Sequence, residues 1–172
     1  MYQNNENVMR KVNVERQAKF EQCVSEYGKI INKVCYMYAT DMDSFNDLQQ
    51  EVLINVWQGL DGFESRAKMS TWIYRVSLNT CITYSSKERK HSSHEELNEN
   101  LYSLDDTQEH LRQLRELYEL INKLNRLDKA IILLWLDEVP YDEIGAIMGI
   151  TRNNVASKLR RAKEKLTNMA NS

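Results

Sequence analysis

The stretch YDEIGAIMGITRNNVASKLRRAKEKL, Tyr141 to Leu166, reads as two helices joined by a three-residue turn. Ile144, Ile147 and Met148 supply the buried side of the first helix, and Gly145 leaves a point without a Cβ where the second helix can cross closely. Gly149 suits the left-handed conformation that stops a helix, and Thr151 suits the N-cap of the next. In the second helix Val155, Leu159, Ala162 and Leu166 recur on one side, which turns Arg152, Asn153, Ala156, Ser157 and Arg160 outward over its N-terminal half. This is the pattern of a helix-turn-helix, and that exposed half is the end that reads base edges when such a helix enters a major groove.

The second helix carries Arg152, Lys158, Arg160, Arg161, Lys163 and Lys165 against one acid, Glu164. A basic amphipathic helix of this kind serves four ends: it lies on a membrane, grips an acidic partner, sits as a solvated face of a helical hairpin, or enters a nucleic-acid groove. The membrane use fits least, because the apolar face ends in Val, Leu and Ala without the Trp or Phe that sinks into a headgroup layer. Elsewhere charge is sorted too. Asp41, Asp43, Asp47, Glu51, Asp61 and Glu64 form an acidic block without Lys or Arg, and Arg66, Lys68, Arg75, Lys87, Arg89 and Lys90 then face only Glu88. With a Debye length of roughly 8 to 10 Å these blocks act locally, so the net charge of -2 says little about partners.

The 172 residues, 42% of them apolar, suffice for packed cores, and 5 Gly with 1 Pro favour helices on short connections. The expected fold is all-α, with two small helical domains on a flexible linker. Glu15 to Thr40 reads as one helix or two. In the next helix, capped by Ser44 or Asn46, Leu48, Val52, Val56 and Leu60 make the buried stripe, widened by Leu53 and Trp57. A polar loop from Glu64 to Lys68 leads to a helix capped by Ser70 or Thr71, running to about Lys87, with Trp72, Val76, Asn79 and Thr83 on one face. KHSSHEELNENLYSLDD is polar and without period, the composition of a linker. Leu111, Leu114, Leu117, Leu120, Ile121 and Leu124 mark a helix, a shorter one covers Asp128 to Asp137, and Pro140 starts the final pair. The expected divisions are a tail over 1–14, a first unit over 15–90, a linker over 91–108 and a second unit over 109–169.

Cys23, Cys35 and Cys81 are odd in number and embedded in helical patterns, which argues against a disulfide framework or zinc site and for a reducing compartment. No apolar run approaches the roughly 20 residues of a membrane span, so the chain is expected to be soluble and intracellular, without stable membrane insertion. His91, His94 and His110, with Glu95 and Glu96, raise the idea of a metal enzyme. Their place in or beside the linker offers no closed ligand sphere, and the expectation is no metal and no cofactor.

The block DLQQEVLINVWQGLDGFESRAKMSTWIYRVSLNTCITYSSKERK, Asp47 to Lys90, interleaves aromatic rings with bases. Unstacked bases need that combination: rings to stack on, at about 1 to 3 kcal/mol per base, and cations for phosphates. For Trp72 the core-filling role is the expected one. The block resembles region two of the extracytoplasmic-function class of bacterial sigma factors, in Asp47, Gln50, Glu51, Phe63, Thr71, Trp72, Ile73, Tyr74, Arg75, Val76 and Asn79. Val139, Tyr141, Glu143, Ile144, Met148, Gly149, Ile150, Thr151 and Val155 likewise resemble the region-four helix-turn-helix of that family.

The resemblance implies a non-catalytic specificity subunit of RNA polymerase, at work in the bacterial cytoplasm and on the nucleoid. Asp47, Gln50, Glu51, Asn55 and Trp57 would dock the clamp helices of the largest subunit of core RNA polymerase, whose flap region is a further contact. Phe63, Ser65, Arg66, Lys68, Tyr74, Arg75, Asn79, Lys87, Arg89 and Lys90 would melt and hold the minus-ten element of promoter DNA. Ser157 and Arg160 would read the minus-thirty-five element at or near base edges, with Ala156 packing on a thymine methyl. Arg152, Asn153, Asn154, Lys158 and Arg161 would lie mainly on phosphates. An anti-sigma factor is the further partner the resemblance implies. Ala156 stands where Lys or Arg is common in the family, and Glu64, Ser65 and Arg66 replace its usual Arg-Gly-acid. A free-standing helix-turn-helix regulator is the alternative function, and it leaves the Asp47 to Asn79 block unexplained.

Overall fold

The computed structural model describes residues 2–63, 67–88 and 116–171, with side chains over 13–63, 67–85 and 116–171. Among these residues every regular element is a helix. They are α1 (Tyr2–Tyr38), α2 (Met42–Gly59), α3 (Met69–Glu88), α4 (described over 116–122), α5 (Arg126–Leu136), α6 (Tyr141–Met148) and α7 (Arg152–Ala170), with one 3-10 turn at Leu60–Gly62. The linker expected over 91–108 and the three histidines lie outside the described residues.

Helix α1 starts at Tyr2, so the expected tail over 1–14 is part of it. No Pro or Gly interrupts the chain before Gly28, and a helix nucleated in the packed half propagates cheaply. The cap of α2 also differs from expectation. Asp41 is the N-cap: its Oδ1 accepts from Ser44 N–H at 2.7 Å, while Ser44 Oγ accepts from Asp41 N–H at 3.0 Å and Thr40 N–H at 2.9 Å. Ser44 is thus the reciprocal partner in a capping box, not the cap itself, and its hydrogen bonds hold the Asp41 carboxyl below its usual range. Helix α3 begins at Met69, which puts Ser70 and Thr71 inside the first turn rather than at the cap.

Leu48, Val52, Val56 and Leu60 are all buried, as their spacing requires, and the first three share one cluster with Ile31, Val34 and Cys35 of α1 and Ile73, Leu78 and Cys81 of α3. Each such aliphatic side chain stabilises the fold by roughly 1.5 to 3 kcal/mol. The second unit centres on Ile131, Ile132, Leu134, Ile144, Ile147, Val155, Leu159 and Ala162. The two units share one contiguous apolar cluster, with α6 against α3.

Candidate nucleic-acid interface

Gly149 takes φ 68°, the left-handed stop, and Thr151 Oγ1 accepts from Asn154 N–H at 3.3 Å as the cap of α7. The carbonyl of Gly145 accepts from Gly149 N–H and from Ile150 N–H at 3.0 Å. A Cβ on Gly145 would stand 2.7 Å from the carbonyl oxygen of Ile150. The closest approach that Gly145 permits is therefore to the turn, with the backbone nitrogen of Arg152, the first residue of α7, next at 3.7 Å.

Val155, Leu159 and Ala162 seat α7, and two polar contacts fix its far half: Lys165 Nζ lies 2.5 Å from Asp128 Oδ2, and Lys163 Nζ lies 3.5 Å from the Trp135 ring centroid. Over the near half Arg152, Asn153, Asn154, Ala156, Ser157, Arg160 and Arg161 are exposed and Lys158 is half-buried. Arg152 pairs with Asp142 and Arg160 with Glu164, each at 2.7 Å, and Arg161 Nε donates to Ser157 O at 3.3 Å. Exposed pairs of this kind are worth about 0 to 1 kcal/mol, so they yield readily to a phosphate.

On the first unit, α2 and α3 enclose an open groove lined by Glu51, Asn55, Trp72, Val76, Asn79 and Thr83. Its floor is closely built. A Cβ on Gly59 would sit 2.9 Å from the Trp72 ring, Phe63 leans on the same ring at 5.4 Å between centroids, and Asn55 Nδ2 donates to Thr80 Oγ1 at 3.0 Å. Trp72 is half-buried as part of that floor. Asp47, Gln50 and Glu51 are exposed along α2, with Tyr84 donating to Asp47 Oδ2 at 3.2 Å. Trp57, grouped with them by sequence, turns instead to α1. Its ring meets Phe20 edge-on at 5.3 Å and carries the Arg16 guanidinium at 4.5 Å, because Arg16 also bonds Trp57 O at 2.8 Å and Asp61 at 3.1 Å.

Of the residues expected at the minus-ten element, Arg75 and Asn79 are exposed and Phe63 is half-buried. Ser65, Arg66, Arg89, Lys90 and the side chain of Lys87 lie outside the described residues. Tyr74 is buried, and its hydroxyl donates to Asp137 Oδ2 at 2.5 Å. Burial first, then that bond to a carboxylate, push its phenol well above the usual range. Lys33 reaches the other Asp137 oxygen, and Lys68 pairs with Glu143, which also accepts from Thr71 Oγ1 at 3.3 Å. Lys33 and Asp137 carried no sequence signal, since the contacts of Asp137 span 63 and 104 positions. Among the described residues no group of three or more His, Cys, Asp or Glu is arranged to hold a metal, and no helix is long and apolar enough to cross a membrane.

These two surfaces coincide with two recognised sequence families. Residues 23–91 match Sigma-70 region 2, and residues 114–166 match Sigma-70, region 4. The chain belongs to the sigma-70 family, in its extracytoplasmic-function class. Among similar sigma proteins, the ECF RNA polymerase sigma factor SigG of Mycobacterium tuberculosis is 31% identical over 78 residues, covering 45% of this chain and 21% of SigG. ECF RNA polymerase sigma factor SigW of Bacillus subtilis is 30% identical over 42% of this chain and 39% of SigW. The matches to SigG and SigW thus span well under half of those relatives. The ECF RNA polymerase sigma-E factor of Escherichia coli is 27% identical over 88% of this chain and 86% of its own. Two solved structures share the fold. The sigma factor RpoE in complex with the anti-sigma factor NepR, from Bartonella quintana, gives a TM-score of 0.69 at 20% identity over 88% of this chain and 96% of that one. CnrH in complex with the cytosolic domain of CnrY gives 0.66 at 18% identity, over 90% and 89%. Within the sigma-70 frame, α1 to α3 form the region 2 unit with the groove, and α4 to α7 form the region 4 unit with the helix-turn-helix.

Proposed function

We propose that this chain is a sigma factor that binds core RNA polymerase and directs promoter-specific initiation, with no catalysis of its own. The observation that carries this reading is the capped, outward-facing half of α7, from Arg152 to Arg161, in the same chain as a region 2 unit with an acidic, exposed α2. In this reading Asp47, Gln50, Glu51 and Asn55 meet a basic face of the polymerase, which steers association. Arg75, Asn79 and Phe63 meet the opened minus-ten strand, and Ser157 and Arg160 read the minus-thirty-five element. The complex of RpoE with the anti-sigma factor NepR supports an anti-sigma factor as a further partner.

The test is reconstitution. Core RNA polymerase mixed with the chain co-elutes on a sizing column and starts transcripts at a defined set of promoters, which sequencing of their 5′ ends reveals. Arg160→Ala shifts the preferred minus-thirty-five sequence, whereas Lys158→Ala lowers occupancy at every promoter by a similar factor. A chain that never co-elutes with the polymerase yet binds an operator tightly as a homodimer would establish the free-standing regulator instead.

A further inference from the structure

Of residues 13–19 on α1, six are exposed and Arg16 alone is drawn in. Its target is the end of α2, which carries no basic residue in its own last turn. Helix carbonyls run out of intrahelical partners there, and the helix dipole favours a cation. Arg16 brings that cation from another helix. Its Nη2 donates to Trp57 O at 2.8 Å, and its guanidinium lies over the Trp57 ring at 4.5 Å from the centroid. Its Nε faces Asp61 Oδ2 at 3.1 Å without the alignment of a hydrogen bond. One side chain thus grips both the last turn of α2 and the 3-10 turn Leu60–Gly62 that follows.

The same corner is held from its other side by α3. The Trp72 ring fits against Gly59 so closely that a Cβ would stand 2.9 Å from it. Phe63 donates its N–H to Leu60 O at 3.3 Å and leans on the Trp72 ring at 5.4 Å between centroids. Phe63 therefore stands at the end of a line of contacts that begins at Arg16.

We propose that Arg16 is a positioning residue for promoter opening: from α1 it fixes the end of α2 and the 3-10 turn, so that Phe63 is already in place when a minus-ten base unstacks. The inference rests on the sigma reading above, and it gives a role in opening to a helix that no expected DNA contact includes. A ring held in place beforehand costs no ordering when the base arrives. Arginine suits the task because its planar fork stacks on an indole while an edge nitrogen donates to a carbonyl, whereas the compact ammonium of lysine makes these contacts less well together. With its side chain 26% exposed and its fork turned to Trp57 and Asp61, Arg16 acts through the protein and not on the DNA.

The test uses the full chain with core RNA polymerase, on a promoter recovered by the 5′-end sequencing described above. Permanganate reactivity of unpaired thymines gives the opening rate on duplex DNA, anisotropy of the labelled chain gives core affinity, and promoter binding is measured across a salt series. Arg16→Met should slow opening about tenfold while core affinity stays within about twofold of wild type. Arg16→Lys, which keeps the charge and a donor, should return the rate to within about threefold of wild type. In a Phe63→Ala background Arg16→Met should change the rate by less than about twofold, because the side chain through which it acts is gone. The slope of log affinity against log salt should not move.

An opening rate that Arg16→Met leaves unchanged overturns the proposal, and so do losses that multiply in the two backgrounds. A salt slope smaller by about one would make Arg16 a phosphate contact and overturn positioning. Equal falls in core affinity and opening rate, or helicity lost in circular dichroism with no recovery by Arg16→Lys, would reduce Arg16 to a general support of the fold. Failure of the wild type to open any promoter with core polymerase would strike the sigma reading instead, whatever the variants do.

Discussion

Replacing Asp128 by Ala removes the one carboxylate that ties α5 to the far half of α7. Asp128 stands in the first turn of α5, where its side chain is 11% exposed. Its Oδ2 accepts from Lys165 Nζ at 2.5 Å and from Asn125 Nδ2 at 2.7 Å. Lys165 is 53% exposed, so its share is discounted to about 0.5 to 1 kcal/mol. The bond from Asn125 contributes about 1 kcal/mol, and the negative charge at the helix N-terminus about 0.3 to 1 kcal/mol. Asp128→Ala therefore costs about 2 to 3 kcal/mol, read as a lower urea midpoint. Lys165→Met costs about 0.5 to 1 kcal/mol, and the double variant shows a coupling of similar size because both changes remove the same contact. A loss under about 0.5 kcal/mol for Asp128→Ala, or single effects that simply add, would refute this account of how α7 is held.

Burial lowers the Lys129 ammonium to about 8 from its ordinary 10.5. A depressed lysine destabilises the fold wherever it is charged, so this handicap is full below pH 8 and fades as pH rises toward 10.5. Raised phenols at Tyr38 and Tyr74 and raised thiols at Cys23 and Cys81 act oppositely at the alkaline end, so the test is a difference. Wild type should gain on Lys129→Met between about pH 7.5 and 9 in urea titrations, and parallel curves would remove the assignment. Leu48→Ala, at a fully buried position, should cost about 2 to 5 kcal/mol in the same assay; a smaller loss would mean that α2 packs otherwise. Gly145→Val should unfold or loosen the helix-turn-helix, because the Cβ would meet a backbone oxygen at 2.7 Å. Amide exchange at Ile150 and Thr151 reports it, and native-like protection there would contradict the close approach.

Features set by near neighbours were legible. Gly149 and Thr151 act as their residue types predict, and the Leu48 to Leu60 stripe is buried because a period of 3.6 fixes which side faces the core. The cap of α2 was misplaced by three residues, since Ser44 serves a capping box equally well from the cap or from its reciprocal position. The surroundings of Tyr74 and Trp57 were not legible for a different reason. Both are amphipathic, and whether such a side chain faces solvent or a neighbour depends on partners far along the chain: Asp137 in one case, Arg16 and Phe20 in the other. The meeting of the two units was not visible either, because no local pattern encodes a contact between Lys33 and Asp137.

The three tryptophans have distinct surroundings: Trp57 lies under Arg16 and beside Phe20, Trp72 forms the floor of the α2–α3 groove, and Trp135 lies under Lys163. Indole emission depends on nearby charge and on access to water, so the native chain already carries a fluorophore in each of three parts. Variants with two of the three changed to Phe would follow the α1–α2 contact, the groove and the seat of α7 separately, without an attached dye. Groove occupation would be read in the variant that keeps Trp72, while the variants that keep Trp57 or Trp135 served as references.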